Sequence, residues 1–319
     1  MEISSNCTQG VIQKAAKALI DGNLVAFPTE TVYGLGADAC NAAAISRIYE
    51  VKDRPVTHPL IVHISSVNFL SNWAVDLPEY VFKLGEKFWP GPMTLILKRG
   101  ELAKDFVTAG QENVGIRVPN QQVALSLLKE FEGQGGQGVA APSANKFGAV
   151  SPTSAKAVYE ELGLELNSSD LILDDGDCLI GVESTIIDCT DEIPAVIRPG
   201  SLTSEQIITC TGLEPKDKSV KKSLKAPGLH DFHYSPKARV YLDSIAGPGE
   251  GFIALAEIST PLGAIRLAAP TTIEEFAAQI YSALRNGDKK KLGKIVVIQP
   301  PGGGLALAIR DRLGKAASK

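Results

Sequence analysis

Apolar residues alternate between two spacings along the first two-thirds of the chain, and the alternation predicts an α/β fold. Short apolar runs bounded by turn residues read as strands at 23–28 (NLVAFP), 59–64 (PLIVHI), 93–97 (MTLIL), 113–119 (NVGIRVP) and 138–142 (GVAAP). Between them the apolar positions spread to helical spacing. Residues 41–52 read as a helix capped by Asn41, and residues 121–131 as a second. Residues 151–163 read as a third, with Ser151 as cap, Pro152 at the first helical position and Gly163 just past the end. Three short strands follow in LILDDG, STIIDCT and AVIRPG, and TSEQIITCTG closes the region with a Thr203/Gln206 capping-box pattern.

The pattern then breaks. Residues 213–238 are lysine-rich, lack an apolar period and read as a linker. Periodicity returns in RVYLD, GFIALA and AIRLA, in a helix over 271–287 with a Thr272/Glu275 capping box, and in KIVVIQP and LALAIRDRLGKAAS. The expected division is a domain over 1–212, a linker over 213–238 and a small α/β domain over 239–319. The glycine-rich stretch 130–141 reads as a surface loop.

Composition narrows the classes. The chain has 319 residues, 44% hydrophobic and 21% charged, which is ample for a core. Lys plus Arg is 32 against 36 for Asp plus Glu, and the net charge of -4 argues against a non-specific nucleic-acid binder. The five cysteines are scattered without a CxxC pair, which argues against a structural zinc site and a disulfide framework. Met1–Gly10 is polar, unlike a signal peptide, and no apolar run approaches the roughly 20 residues of a membrane span. The expectation is a reduced, cytoplasmic protein.

Several segments carry more polar detail than folding needs. FPTETVYGLG (27–36) places a Thr-Glu-Thr run, a tyrosine and two glycines directly after Pro28. Gly34 and Gly36 fit a loose dinucleotide-binding pattern, but six residues separate it from the strand and no acidic partner is well placed. Lys52 and Arg54 close a helix just before a strand, at the mouth of a sheet, where a point charge beside a fork-shaped one suits a polyphosphate. Compensation of the helix dipole is the plainer reading of the same pair. His58 flanks that loop, and His63 sits inside an apolar strand, the usual setting of a hydrogen-bonded core histidine.

Ser143 and Asn145 lie just past a strand end; Ser151 precedes a helix whose N-terminus can receive an anion. Ser184 and Arg198 lie near strand ends, and Arg117 within a strand needs a partner. No nucleophile–base order, HExxH, P-loop or Asp-rich loop stands out. That profile suits catalysis by positioning and charge neutralisation, as in phosphoryl or nucleotidyl transfer.

Taken in order, FPTETVYGLGADA, KDRPVTHPLIVHI, FWPGPMTLIL, VGIRVP, AAPSAN, SPT, VESTIID and VIRPG resemble the YrdC-type L-threonylcarbamoyladenylate synthases. APGLHDFHYSPKA and GLALAIRDRLGKAAS resemble the long, two-domain branch of that family. The resemblance implies a twisted, mostly parallel or mixed sheet with helices enclosing a large positive cavity, plus a small C-terminal α/β domain. It implies a nucleotidyltransferase that makes threonylcarbamoyl-AMP and pyrophosphate from L-threonine, bicarbonate and ATP, with Mg²⁺ on the phosphates. Other proteins would then transfer the group to A37 of tRNA; contact with tRNA itself is possible but not required.

Residue by residue, the family's Lys-Arg-Ser-Asn motif falls on Lys52, Arg54, Ser143 and Asn145, with Lys52 and Arg54 as catalytic groups. The resemblance puts Arg54, Ser143, Asn145, Ser151 and Arg198 around ATP, with Asn113 and His58 nearby; many members carry Asn where this chain has His58. Thr31, His63, Arg117, Ala141 and Ser184 would hold threonine, and Gly34 and Gly36 would let backbone approach it. The linker would fold over the cavity as a lid with His233 and Tyr234 near the nucleotide. No side-chain metal ligand is implied. Two other readings stay open: an RNA-binding module, disfavoured by the acidic balance, and a carbamoyl-adenylate-forming maturation enzyme, whose zinc-finger cysteine pairs are absent.

Overall fold

The computed structural model describes residues 1–216, 227–228 and 234–318. Ten of its strands form one sheet: β1 (Glu2–Ser4), β2 (Val25–Phe27), β3 (Gly34–Asp38), β4 (Ile61–His63), β5 (Met93–Lys98), β6 (Asn113–Arg117), β7 (Val139–Ala140), β8 (Leu171–Leu173), β9 (Thr185–Asp188) and β10 (Ala195–Arg198). Their order is β1-β8-β2-β3-β7-β4-β6-β5-β9-β10. The pairs β1–β8, β8–β2, β4–β6 and β5–β9 run parallel and the other neighbours antiparallel, so the sheet is mixed.

The central strands alternate strictly by face. Val62, Ile116 and Leu95 point into the main apolar core beside Ile48, Trp73 and Leu84. Their neighbours Ile61, His63, Gly115, Arg117, Thr94 and Ile96 therefore share the opposite face. Elsewhere, helices Gln9–Ile20 and Gln122–Gly133 pack together through Ile12, Leu19, Leu127 and Phe131. The second helix runs on to Gly133 and β7 begins at Val139, so only 134–138 of the expected loop is free of regular structure.

Two expectations change. The stretch after Pro28 is not only a turn: Gly34–Asp38 is β3, antiparallel to β2 with Phe27 opposite Gly34. Both glycines of the dinucleotide-like pattern thus lie inside a strand, and that reading falls. Gly36 serves packing, since a Cβ there would stand 2.8 Å from both Phe27 and Val139. The second correction concerns Ser151. Helix Ala155–Leu162 is capped by Ser154, whose Oγ accepts from the Ala157 amide at 3.2 Å. The Pro152 and Thr153 carbonyls are held by the amides of Tyr33 and Cys178, both at 2.9 Å, which keeps 151–153 outside the helix.

A second sheet, β11 (Arg239–Leu242), β12 (Gly251–Ile253), β13 (Ile265–Ala268) and β14 (Lys294–Val297), is parallel throughout in the order β11-β14-β12-β13. Helices Ile273–Lys289 and Leu305–Ala317 accompany it, the first begun by Thr272, whose side chain accepts from the Glu275 amide. The core they enclose continues into the larger body: Val32, Val150 and Val182 cluster with Tyr234, Phe276, Tyr281, Ile309 and Leu313. Among the described residues no helix is long and apolar enough to cross a membrane.

Candidate functional site

The strand register builds the floor of a cavity. His63 on β4 stands opposite Arg117 on β6, and Arg117 opposite Thr94 on β5, so three polar side chains form one row across the sheet. In the next row Gly115 lies between Ile61 and Ile96, and a Cβ there would come within 3.2 Å of both. The missing side chain keeps the floor low. Above it lies a cavity of about 50 Å³ lined by His63, Arg117, Gly34, Ala141, Ser143 and Arg54, and closed by Ser184, Arg198, Pro227, Gly228 and Tyr234. A smaller pocket of about 10 Å³ shares Ile61 and Pro227 with it and adds Asn113, Gly115 and Ile96.

Arg117 is the buried cation of the floor. Its Nη2 donates to Thr31 Oγ1 at 2.8 Å and lies 2.8 Å from Glu30 Oε1. Neither Glu30 oxygen accepts an aligned hydrogen bond, and the Arg117 Nε–H has no partner. Thr31 also shares a 2.8 Å hydrogen bond with Thr29, which fixes the turn after Pro28 against β6. His63 is buried beside this cation. Burial first, then the Arg117 charge, draws its imidazole down to about 3, so it is neutral at physiological pH.

Arg54 forms a wall. Its Nη2 donates to the Pro59 carbonyl at 2.9 Å, its guanidinium lies 5.7 Å from the Phe147 ring centre, and its Nε–H is unpartnered. Burial lowers it to about 10, and it remains a cation. The same Phe147 ring lies 4.9 Å from the His58 ring, so His58 belongs to the outer side of this wall rather than to the lining. Lys52 does not face the cavity. Its ammonium donates to the Ser143 carbonyl at 2.5 Å and to the Asn145 carbonyl, and Asn145 Nδ2 in turn donates to Lys146 and Ala149 carbonyls. Burial, then the Arg54 charge, pulls Lys52 well below the usual lysine range. Here the ammonium holds the Ser143–Asn145 loop from behind the lining.

Arg198 closes the far side. Its Nε and Nη2 donate to the Ser184 carbonyl at 3.1 and 3.0 Å, Nη2 also reaches Ser184 Oγ at 3.1 Å, and Nη1 donates to the Pro227 carbonyl at 2.8 Å. Ser184 Oγ meets Thr94 Oγ1 at 2.8 Å, which links this side to the floor. Tyr234 is buried against Tyr281, with ring centres 5.8 Å apart and planes at 19°. Gly228, with a φ of +80°, passes so close that a Cβ would stand 2.2 Å from the Tyr234 hydroxyl oxygen.

Of the residues singled out from sequence, the cavity gathers Arg54, His63, Arg117, Ala141, Ser143, Ser184, Arg198 and Tyr234. Thr31 touches it through Arg117, and Asn113 lines the adjoining pocket. Lys52, Asn145 and Ser151 stand behind the lining, Ser151 through a 2.6 Å hydrogen bond to Glu183. His233 lies outside the described residues.

Glu183, Tyr281 and Arg312 were not foreseen. Glu183 lines the cavity and accepts from Ser151, from the Tyr281 hydroxyl at 3.0 Å and from Arg312 Nε at 2.8 Å. Burial alone would raise its carboxyl, but Arg312, Arg198 and the Ser151 hydroxyl hold it at about 2. A signal existed: in LALAIRDRLGKAA the apolar helical period runs through Ala308, Ile309, Leu313 and Ala316, and Arg312 falls on that buried face.

Three buried arginines around one cavity, Arg54, Arg117 and Arg198, mark a two-domain α/β protein whose lining suits an anionic group. The family model described as "Telomere recombination", that of the Sua5, YciO and YrdC proteins, matches residues 17–200. One described as "Threonylcarbamoyl-AMP synthase, C-terminal domain" matches residues 202–318. The chain belongs to the Sua5/YciO/YrdC family. It is 39% identical to the threonylcarbamoyl-AMP synthase of Pyrococcus abyssi over 96% of its own length and 94% of the relative's. It is 38% identical to the Bacillus subtilis enzyme of that name, over 99% and 95%. Among solved structures, P. abyssi Sua5 complexed with L-threonine superposes with a TM-score of 0.88 at 36% identity, covering 99% of this chain and 97% of that one.

Proposed function

We propose that the protein is an L-threonylcarbamoyladenylate synthase, a nucleotidyltransferase that joins L-threonine, bicarbonate and ATP into threonylcarbamoyl-AMP and pyrophosphate. The observation that carries the reading is one cavity with Arg117 on its floor, Thr31 held behind that arginine, and Arg54 and Arg198 on its walls. The names of the near-full-length relatives, and the L-threonine held by the P. abyssi structure, support the choice of substrates.

In this reading the Arg117 fork takes the threonine carboxylate and Thr31 its hydroxyl, with neutral His63 beside them. The threonine amine and bicarbonate form a carbamate with loss of water, and a carbamate oxygen attacks the α-phosphorus of ATP as pyrophosphate leaves. Arg54 and Arg198, joined by Ser143, receive the phosphate charge. Lys52 and Asn145 shape the Ser143 loop behind them, and Ser151 acts through Glu183. The carbamate decomposes in water, so the covering Pro227–Gly228 segment and Tyr234 exclude solvent in the manner of a lid. In this reading Mg²⁺ would accompany the ATP phosphates. It would neutralise phosphate charge there. Action in the cytoplasm, and delivery of the product to proteins that modify A37 of tRNA, belong to the same proposal.

Incubation with ATP, L-threonine, bicarbonate and Mg²⁺, followed by mass spectrometry, should reveal the adenylate and pyrophosphate. Arg54→Ala should lower the yield roughly tenfold to a hundredfold while the protein stays folded, the loss expected for a hydrogen bond to a charged group. No adenylate from the wild-type chain would overturn the reading.

A further inference from the structure

Glu183 poses an electrostatic problem: it is a carboxylate in the lining of a cavity otherwise furnished with arginines. A buried negative charge beside an anionic ligand is repulsive unless it is cancelled locally. The cancelling charge comes from 129 residues away. Arg312 is buried to 1% exposure on helix Leu305–Ala317; its Nε donates to Glu183 Oε2 at 2.8 Å, and its Nη2 lies 3.4 Å from the Glu183 carbonyl. Its guanidinium also lies 5.4 Å from the Tyr234 ring centre. One turn on, Lys315 donates to the Gly228 carbonyl at 2.7 Å, and Asp311 holds both Arg312 and Lys315 at 2.7 Å. The groups around Glu183 are thus Arg312, Asp311 and Lys315 from this helix, Tyr281 from helix Ile273–Lys289, and Arg198, Ser151 and Tyr234 from the cavity side.

We infer that Arg312 is a positioning residue of the cavity: it orients Glu183 and cancels its charge, so that an anion enters beside Ser184 and Arg198 only while the C-terminal helix is seated. Glu183 precedes Ser184, whose carbonyl carries two of the Arg198 hydrogen bonds, so a shift of Glu183 is transmitted directly to the arginine wall. The second domain then acts as a condition for nucleotide binding. The inference deepens the synthase reading and rests on ATP being the anion.

The test is calorimetric binding of ATP with Mg²⁺ to the full chain. Arg312→Gln should weaken binding about tenfold or more at pH 8. Without its partner the buried Glu183 carboxyl titrates upward, so the deficit relative to wild type should shrink as pH falls from 8 to 6. Arg312→Lys, which keeps the charge, should stay within about threefold of wild type. The double variant Glu183→Gln, Arg312→Gln removes both charges and leaves no orphan ion, so it should bind ATP more tightly than Arg312→Gln at pH 8 and show no pH-dependent deficit. A double variant as weak as Arg312→Gln, or a deficit constant with pH, would overturn the inference and leave Arg312 a packing residue. Absence of ATP binding by the wild-type chain would instead overturn the synthase reading on which it stands.

Discussion

The floor of the cavity and its far wall are built in opposite ways. The floor is strand-borne: His63, Arg117 and Thr94 occupy one row of a hydrogen-bonded register and come from a stretch of 55 residues, 63 to 117. The far wall joins Glu183, Ser184 and Arg198 to Pro227, Gly228 and Tyr234, and then to Tyr281 and Arg312 on another sheet's helices. A register slip would turn every floor side chain to the wrong face, so the floor is as rigid as the sheet. The far wall starts from strands of the same sheet, where Arg198 holds Ser184, but is completed by contacts from the second body.

That contrast can be broken from either side. The largest effect is expected at Arg198→Ala, which removes the hydrogen bonds to Ser184 and to the Pro227 carbonyl together. At about 1.5–3 kcal/mol for each bond to a charged group, adenylate synthesis should fall about a hundredfold or more. Threonine binding, read by calorimetry, should stay within about threefold, because the floor is intact. An equal loss of both would show that the two sides are one cooperative unit. Arg117→Lys tests the floor alone. It loses the planar fork and the Thr31 contact while keeping the charge. The threonine KM should rise about tenfold or more, with the ATP KM little changed; matching rises in both would assign Arg117 to the nucleotide or to the fold.

The smallest effect concerns stability. His63 titrates near 3 in the folded chain, against about 6.5 for an ordinary histidine. Between those values the unfolded chain binds a proton that the folded one refuses. Stability therefore falls as pH drops through this window, by about 1.4 kcal/mol per pH unit, and the contribution is absent above pH 7. Urea midpoints at pH 7, 6 and 5 should fall more steeply for the wild type than for His63→Gln, by about one proton. Parallel slopes would mean that the folded imidazole does take up that proton.

The floor was largely legible in the sequence because its signals are local. A lone arginine in VGIRVP and a histidine in LIVHI declare their strands and their faces by alternation. β3 was missed because glycines and a polar turn mask its period, and Ser151 was misplaced because cap chemistry cannot reveal that Pro152 and Thr153 bond sideways to Tyr33 and Cys178. Lys52 shows the limit most clearly. Only the fold determines that its ammonium turns to two loop carbonyls, those of Ser143 and Asn145. Glu183 with Arg312 was beyond reach, since nothing in either segment names a partner 129 residues distant.

Lys52 has a consequence for chemistry done on the whole protein. Surface lysines such as Lys14 and Lys17 are accessible, with 57% and 62% of their side-chain surface open. Lys52 is the reverse: burial weakens its hold on the proton, while 2% exposure denies a reagent any approach. Its acylation is thus limited by access rather than by amine reactivity. A mild N-hydroxysuccinimide ester, followed by peptide mass spectrometry, would turn this one side chain into a counter of how often the Ser143–Asn145 loop lifts away. Saturating ATP should slow the count, and a rate equal to that of Lys14 would mean the loop is open most of the time.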